Sequence, residues 1–385
     1  MKKKILFIVL LIFSVIKVYA TPVDLYNSTW TILRDNFYDK SMNNQDWNDW
    51  KDKSKNLENY EQAYDAIYSM IHSLQDPYTI FLPPSFYNEE KLSMAGKVFD
   101  YGIRLNKTKK GFLIYPLKDS IAQRHGIEKK DLLLKINNKP INEYSSETLY
   151  SLLFPAEAKD IELLISRDNE EKNIKLTSSE ENVQSIFHDT PCNTRVPDGI
   201  VYIRIPSFMN KNVAKHFKDT VDSTPEAEAY IIDLRNNGGG IAKNGAVMAN
   251  MLLTNCVITT IEDRNGEKDT IRANEHLLTS KPIVILSNGA TASASEIFIA
   301  AIKEHKRGAI IGEKTFGKAV IQDVFDLPNG CGVNVTVRRY LTPNGNDIRL
   351  KGIEPDIKLK PNKMDVFFRN DIVLERAIKL LKKDK

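Results

Sequence analysis

Apolar residues recur at helical spacing from Val23 to about Tyr87, with Trp30, Leu33 and Phe37 in one stripe and Tyr64, Ile67, Met70, Ile71 and Leu74 in a second. The pattern predicts a small helical region whose last helix stops before Asp76-Pro77. The following FLPPSF (81–86) reads as a turn or extended connection, because each proline disfavours helix in the residue before it. Between about Ala95 and Ser178 the period shortens to strands, YGIRL, GFLIYPL, DLLLKIN and KDIELLIS, with one short helix, DSIAQRHGI, between the second and third. Such strands predict a partly open small barrel with a free strand edge beside a helix. From about Gly199 strand and helix alternate: GIVYIRI, a helix over 211–222, AYIIDL, a helix over 241–253, PIVIL, a helix over 294–305, and GAIIG. Alternation of this kind predicts a parallel or mixed sheet covered by helices. The fold class is therefore multidomain α/β, divided as 1–20, 21–94, 95–178 and 179–385.

Composition changes this picture mainly at the start. Lys2, Lys3 and Lys4 precede the apolar run ILFIVLLIFSVI, and the segment closes on Val18-Tyr19-Ala20, the pattern of a secretory signal cleaved after Ala20. The run is short for a bilayer span, so a retained membrane anchor is the lesser reading, and no cysteine stands near Ala20 to suggest a lipoprotein. The expected location is periplasmic or otherwise extracytoplasmic. The formal charge of +4 is carried by Lys2, Lys3, Lys4 and Lys17, since no acid precedes Asp24. A neutral remainder gives no reason to expect nucleic acid. A hydrophobic share of 42% suits ordinary globular cores. Cys192, Cys256 and Cys331 lack metal-ligand spacing, and at most two of them can pair within the chain.

The chemistry concentrates between Pro282 and Gln322, PIVILSNGATASASEIFIAAIKEHKRGAIIGEKTFGKAVIQ. Ser293 stands where a buried strand gives way to an apolar helix, so its hydroxyl and the next N–H lie at an electropositive helix N-terminus. A serine is inert without a base, and a lysine serves as one only when desolvation lowers its pKa. Lys318, framed by Gly317, Ala319, Val320 and Ile321, has the apolar flanks for that. Upstream, the strand YIIDLR runs into Asn236-Asn237-Gly238-Gly239-Gly240, whose glycines can turn N–H groups inwards. Taken singly, a serine at a helix start is a cap and a glycine run is a flexible loop. Together they are the parts of a serine-lysine hydrolase.

This set resembles the carboxy-terminal processing, or tail-specific, serine peptidases. The resemblance makes Ser293 of SASASE the nucleophile, Lys318 of GEKTFGK the general base, and Gln322 the residue that orients the lysine. It places the oxyanion donors at Gly239 and Ala294. It also implies a peptidase core of the ClpP/crotonase type and makes the 95–178 stretch a PDZ-like domain. Within that stretch Tyr101, Gly102, Ile103, Arg104 and Leu105 occupy the place of the tail-binding loop and strand, where an extended peptide adds to the sheet edge. GIVYIRIPSF (199–208) and LTPNGNDIRLKGIEPDI (341–357) extend the likeness over nearly all of residues 21–385. Two positions depart from the family pattern: Gly238 replaces the usual proline, and Ala319 the commoner glycine.

The implied activity is an exported serine endopeptidase acting on proteins or peptides with a free C-terminal tail, with no cofactor and no metal. A homo-oligomer and a regulatory adaptor are both left open. The alternatives are a catalytically silent peptide-binding module and a hydrolase of esters or cell-wall amides. A dinucleotide-binding turn fails because Lys243 stands where the third glycine belongs. No cysteine occupies a strand-to-helix elbow. The histidines are scattered, and His305 lies three turns from Ser293, roughly 15 Å or more away along the helix. Ser295 and Glu296 read as first-turn residues, and Asp233 and Arg235 as polar contacts at a strand end.

Overall fold

The computed structural model describes residues 20–109, 111–117, 120–144, 146–155, 157–182, 185–188, 194–362 and 370–383. The expected signal (1–20, apart from Ala20) and Cys192 lie outside them. Helices α1 (Pro22–Asn36), α2 (Asn48–Lys51) and α3 (Tyr60–Ser73) open the described chain. Thr21 and Asp24 form a reciprocal cap on α1, and Asn59 caps α3 through the Gln62 N–H at 3.0 Å. Strand β1 (Ile80–Leu82) is followed at once by α4 (Pro84–Met94). The FLPPSF segment is thus a helix start as well as a connection: Pro84 occupies the first helical position, where its missing N–H costs nothing.

Next come β2 (Lys97–Asp100), β3 (Ile103–Thr108), β4 (Gly111–Pro116), α5 (Ile121–Arg124), β5 (Leu132–Ile136), β6 (Lys139–Pro140), α6 (Ser146–Leu153), β7 (Asp160–Arg167), β8 (Glu170–Thr177) and β9 (Ser179–Asn182). Six of these strands make one sheet in the order β3-β4-β5-β7-β8, with β6 on β5. The path is open, with β3 and β8 at its edges, and the described residues form no closed barrel. Its core includes Ile103, Ile114, Leu133, Leu163 and Ile165. Strand β2 pairs separately with β9, so the strands entering and leaving this sheet are bound to each other.

The rest holds β10 (Ile200–Arg204), α7 (Val213–Asp222), β11 (Ala229–Asp233), α8 (Ala242–Leu252), β12 (Val257–Asp263), β13 (Lys268–Arg272), β14 (Ile283–Ser287), α9 (Ala294–Glu304), β15 (Ala309–Gly312), β16 (Val320–Asp326), β17 (Gly332–Leu341), β18 (Ile357–Lys358) and α10 (Ile372–Lys383). A parallel sheet runs β10-β11-β14-β15-β18, and β11 and β14 are buried at every residue. One face packs on α7, α8 and α9; the other is covered by Val373, Leu374, Ala377, Ile378 and Leu381 of α10. Both faces being covered explains the continuous apolar runs YII and IVIL. A second sheet, β1-β17-β12-β13 with β16 on β17, includes strands that the apolar pattern does not announce. Val333, Val335 and Val337 of β17 join Leu25, Trp30, Leu33, Ile67 and Met70 in one core. The N-terminal helices therefore share their interior with the sheet that carries β16.

Candidate active site

Ser293 is the pivot between β14 and α9, and its backbone is held at φ 55°, ψ −118°. Positive φ is unfavourable for a residue with a side chain and persists only where the surroundings impose it. Here they do: the Ala292 N–H donates to Asn237 O at 3.0 Å, Thr291 Oγ1 to Leu234 O at 2.9 Å, and Ser295 Oγ to Asn237 O at 3.2 Å. Below the elbow, Ile297, Phe298, Ile299 and Ile302 of α9 are at most 2% exposed. Each contributes roughly 1.5–3 kcal/mol by burial, so the helix is a rigid support.

The glycine turn lies against this elbow. A Cβ placed on Gly239 (φ 97°) would stand 2.7 Å from both Ala292 O and Ser293 Cβ and 3.0 Å from Ala294 N. Only glycine fits there, and the closeness brings the Gly239 and Ala294 backbones to the same point. The Gly239 N–H donates to Asn237 Oδ1 at 2.9 Å in this structure, so the turn is closed on itself. A Cβ at Gly238 would meet nothing within 4 Å. The departure at Gly238 leaves space rather than strain. Ala319 is 1% exposed within the core, so its extra methyl is accommodated.

Lys318 is half-buried two residues before β16. Its Nζ donates to Gln322 Oε1 at 2.6 Å and lies 4.7 Å from the centre of the Tyr78 ring. Gln322 is itself anchored by its amide to Tyr78 O. Desolvation pushes the Lys318 amine below the ordinary lysine value, while Asp76 and Glu90 pull the other way. Ser293, Lys318, Gln322, Gly238, Gly239 and Gly240 line one cavity of about 560 Å³, with Met94, Met209, Ile241, Val320, Ile321 and Val324 among its apolar walls. Among the described residues no hydrogen bond joins Ser293 Oγ to Lys318 Nζ. A second, apolar cavity of about 550 Å³ adjoins the first through Ala242, Lys243 and Ile321.

Two buried residues tie the serine segment to the lysine segment. Glu296, fully buried, accepts from Ser293 N (2.9 Å), Lys318 N (2.9 Å), Gly317 N (2.7 Å) and Thr315 Oγ1 (2.6 Å). Burial raises its carboxyl and these donors partly offset that. Tyr340 Oη donates towards both Ser293 O (3.1 Å) and Lys318 O (2.5 Å). Sequence reasoning assigns Glu296 only to the helix dipole, although its place three residues after Ser293 is the spacing of a capping box. Tyr340 carries no local signal. Asp233 and Arg235 do form strand-end contacts: Arg235 bridges Asp233 and Asp371, the latter at 2.7 and 2.8 Å.

The tail-binding candidates fall on and before β3, an edge strand whose outer side is unpaired among the described residues. Tyr101 and Ile103 are buried, and Tyr101 Oη donates to Lys159 O at 2.9 Å. The Gly102 N–H is taken by Asp100 Oδ1 at 2.7 Å, and Arg104 is held by Asp100 Oδ2 at 2.9 Å. Leu105 packs against the sheet's core. Among the described residues no group of acidic, histidine and cysteine side chains forms a metal site, and Cys256 and Cys331 are free thiols.

An elbow serine, an adjoining glycine turn and a desolvated lysine share one cleft, and comparison with known proteins gives the class. Residues 199–359 match peptidase family S41. The chain is 31% identical over 337 residues to a carboxyl-terminal-processing protease of Synechocystis, covering 85% of this chain and 78% of that one. It is 30% identical to a chloroplastic C-terminal processing peptidase of Tetradesmus obliquus, covering 88% and 77%. The solved photosystem II D1 C-terminal processing protease superposes with a TM-score of 0.59 at 29% identity, over 94% of this chain and 97% of that one. This chain belongs to the carboxyl-terminal-processing proteases of family S41. It is a serine endopeptidase acting on protein substrates.

Proposed function

We propose that Ser293 attacks the scissile carbonyl, that Lys318 takes the hydroxyl proton and later gives it to the leaving amine, and that Gln322 orients the lysine. The observation that carries this reading is the shared cleft, where the strained Ser293 and the desolvated Lys318 stand on segments joined through Glu296 and Tyr340. Desolvation makes the free amine accessible nearer neutral pH, which a base must be. The Ala294 N–H and the Gly239 N–H would hold the tetrahedral oxyanion, a role worth about 2.7–4 kcal/mol per donor. For Gly239 this requires exchanging its bond to Asn237 Oδ1 for one to the substrate oxygen.

The open sheet of residues 95–178 acts, in this reading, as a PDZ-like module. A substrate tail adds to the free edge of β3 by main-chain pairing, and its apolar side chains reach the neighbourhood of Leu105. The N-terminal basic and apolar segment directs export. A fluorophosphonate probe tests the nucleophile directly: peptide mapping is expected to find the adduct on Ser293 alone, with labelling slowed at least a hundredfold in Lys318→Ala. An adduct on another serine would remove the assignment.

A further inference from the structure

The catalytic cavity shares Ala242, Lys243 and Ile321 with a second one of about 550 Å³, whose wall comes mostly from α8, β12 and β13. Ile297, which also lines it, lies one turn of α9 beyond Ser293, so this space begins beside the elbow. Ile258 and Ile297 are at most 2% exposed and give it a firm base. Val247, Ile261 and Ile271 pack on the main core yet stay only partly buried, and the rest of their apolar surface borders the cavity. A concave apolar wall of this size takes an apolar side chain out of water.

The charged lining of this second cavity has one sign. Lys243, Arg272 and Arg338 border it, and no aspartate or glutamate does. Arg338 is paired with Asp323 at 2.5 Å, and its buried Nε has no partner among the described residues. Lys243 and Arg272 are exposed and have no acidic partner among the described residues; Arg272 reaches only Asn255 O, at 3.4 Å. Like charges gathered around an apolar hollow repel one another and raise the local concentration of an anionic group.

We propose that this cavity is a substrate subsite: it receives an apolar side chain beside the scissile bond, and Lys243 and Arg272 favour an acidic residue next to that one. The proposal rests on Ser293 being the nucleophile. The shared lining keeps the occupant within a residue or two of the attacked carbonyl. An endopeptidase presents internal residues there, so the carboxylate belongs to a side chain rather than to the chain end. The apolar wall supplies affinity, while the cations choose among sequences, drawing in acidic segments and turning away basic ones.

Internally quenched peptides with amidated ends test this, with cleavage points fixed by mass. One set varies the residue on each side of the scissile bond in turn through Ala, Val, Leu and Phe. A second keeps Leu at the preferred position and sets Glu, Gln or Lys beside it, and a third repeats the Gln peptide with a free-acid end. On one side of the bond, kcat/KM should rise about ten- to a hundredfold from Ala to Leu. It should fall about three- to tenfold from Glu to Gln and further to Lys. Added NaCl should shrink the Glu-to-Gln ratio and leave the Ala-to-Leu ratio in place. Lys243→Gln combined with Arg272→Gln should bring the Glu-to-Gln ratio close to one, and Val247→Phe, which narrows the cavity, should cut Leu and Phe peptides more than Ala peptides. A flat wild-type response from Ala to Phe on both sides would overturn the subsite without recourse to any variant. An unchanged Glu-to-Gln ratio in the folded double variant would remove the two cations as selectors. An effect of the free-acid end with none from Glu would move recognition to the chain terminus and overturn the acidic-residue assignment. Ser293→Ala separates the two levels: cleavage by that variant discards the nucleophile, whereas serine-dependent cleavage without these preferences discards the subsite alone.

Discussion

Replacing Glu296 by glutamine keeps the shape of the buried tie between the two halves of the site and removes its charge. Oε1 accepts from Thr315 Oγ1 and Gly317 N, and Oε2 from Ser293 N and Lys318 N. The least damaging glutamine rotamer keeps its oxygen on Ser293 and Lys318 and turns its amide to Thr315, whose hydroxyl already accepts from Ile353 N at 2.7 Å and has a second lone pair. Gly317 N–H then faces a donor. One buried unpaired N–H costs about 1–3 kcal/mol, and losing the charge from the remaining bonds adds roughly 1 kcal/mol or more, so the total is about 2–5 kcal/mol. Part of this falls on stability and part on the relative placement of Ser293 and Lys318. Thermal unfolding should show Tm lower by several degrees, and peptide hydrolysis should lose about ten- to a hundredfold in kcat/KM, at 1.36 kcal/mol per decade. A folded Glu296→Gln protein that melts within a degree of wild type and cleaves within twofold of it would refute the reasoning.

Desolvation sets the direction of the pH dependence: the folded-state value of Lys318 lies below the usual lysine value of about 10.4, and the active form is the neutral amine. Measured kcat/KM should therefore rise with pH along a limb below that value, and a profile that falls over the same range would contradict Lys318 as base. Burying a lysine that prefers to be neutral costs stability below its folded value, so Lys318→Met should raise Tm by a few degrees while abolishing cleavage, as calorimetry can check. Gly239→Ala puts a methyl 2.7 Å from Ala292 O at φ 97°. It should lose cleavage at least a hundredfold and destabilise by about 1–3 kcal/mol in a denaturant titration.

Where local pattern controls structure, the sequence was readable. β11 and β14 are covered on both faces and show as unbroken apolar runs, and α7, α8 and α9 begin within three residues of their expected starts. Ser293, Lys318 and the Gly239 turn are legible because each sits at a junction whose geometry its neighbours dictate. The second sheet was not legible: β16 reads VIQDVFD and β17 GVNVTVRRYL, and their polar residues are buried or paired only after distant segments arrive. Strand β8, EEKNIKLT, is polar along most of its length and is held by full pairing to β7. Helix α4 was hidden because just one of its side chains, Tyr87, is buried, leaving no periodic stripe, and because its prolines read as breakers. Tyr340 bonds Ser293 from 47 residues ahead and Glu90 lines the cavity from 228 residues before Lys318, neighbours that only the fold creates.

Digestion of an unfolded protein ending in an apolar tail tests the central claim most directly. Wild type, Ser293→Ala and Lys318→Ala are compared side by side, with circular dichroism to establish that all three are folded and mass spectrometry to identify fragments. Cleavage by wild type alone is the expected result. Undiminished cleavage by either folded variant would contradict the Ser293–Lys318 mechanism.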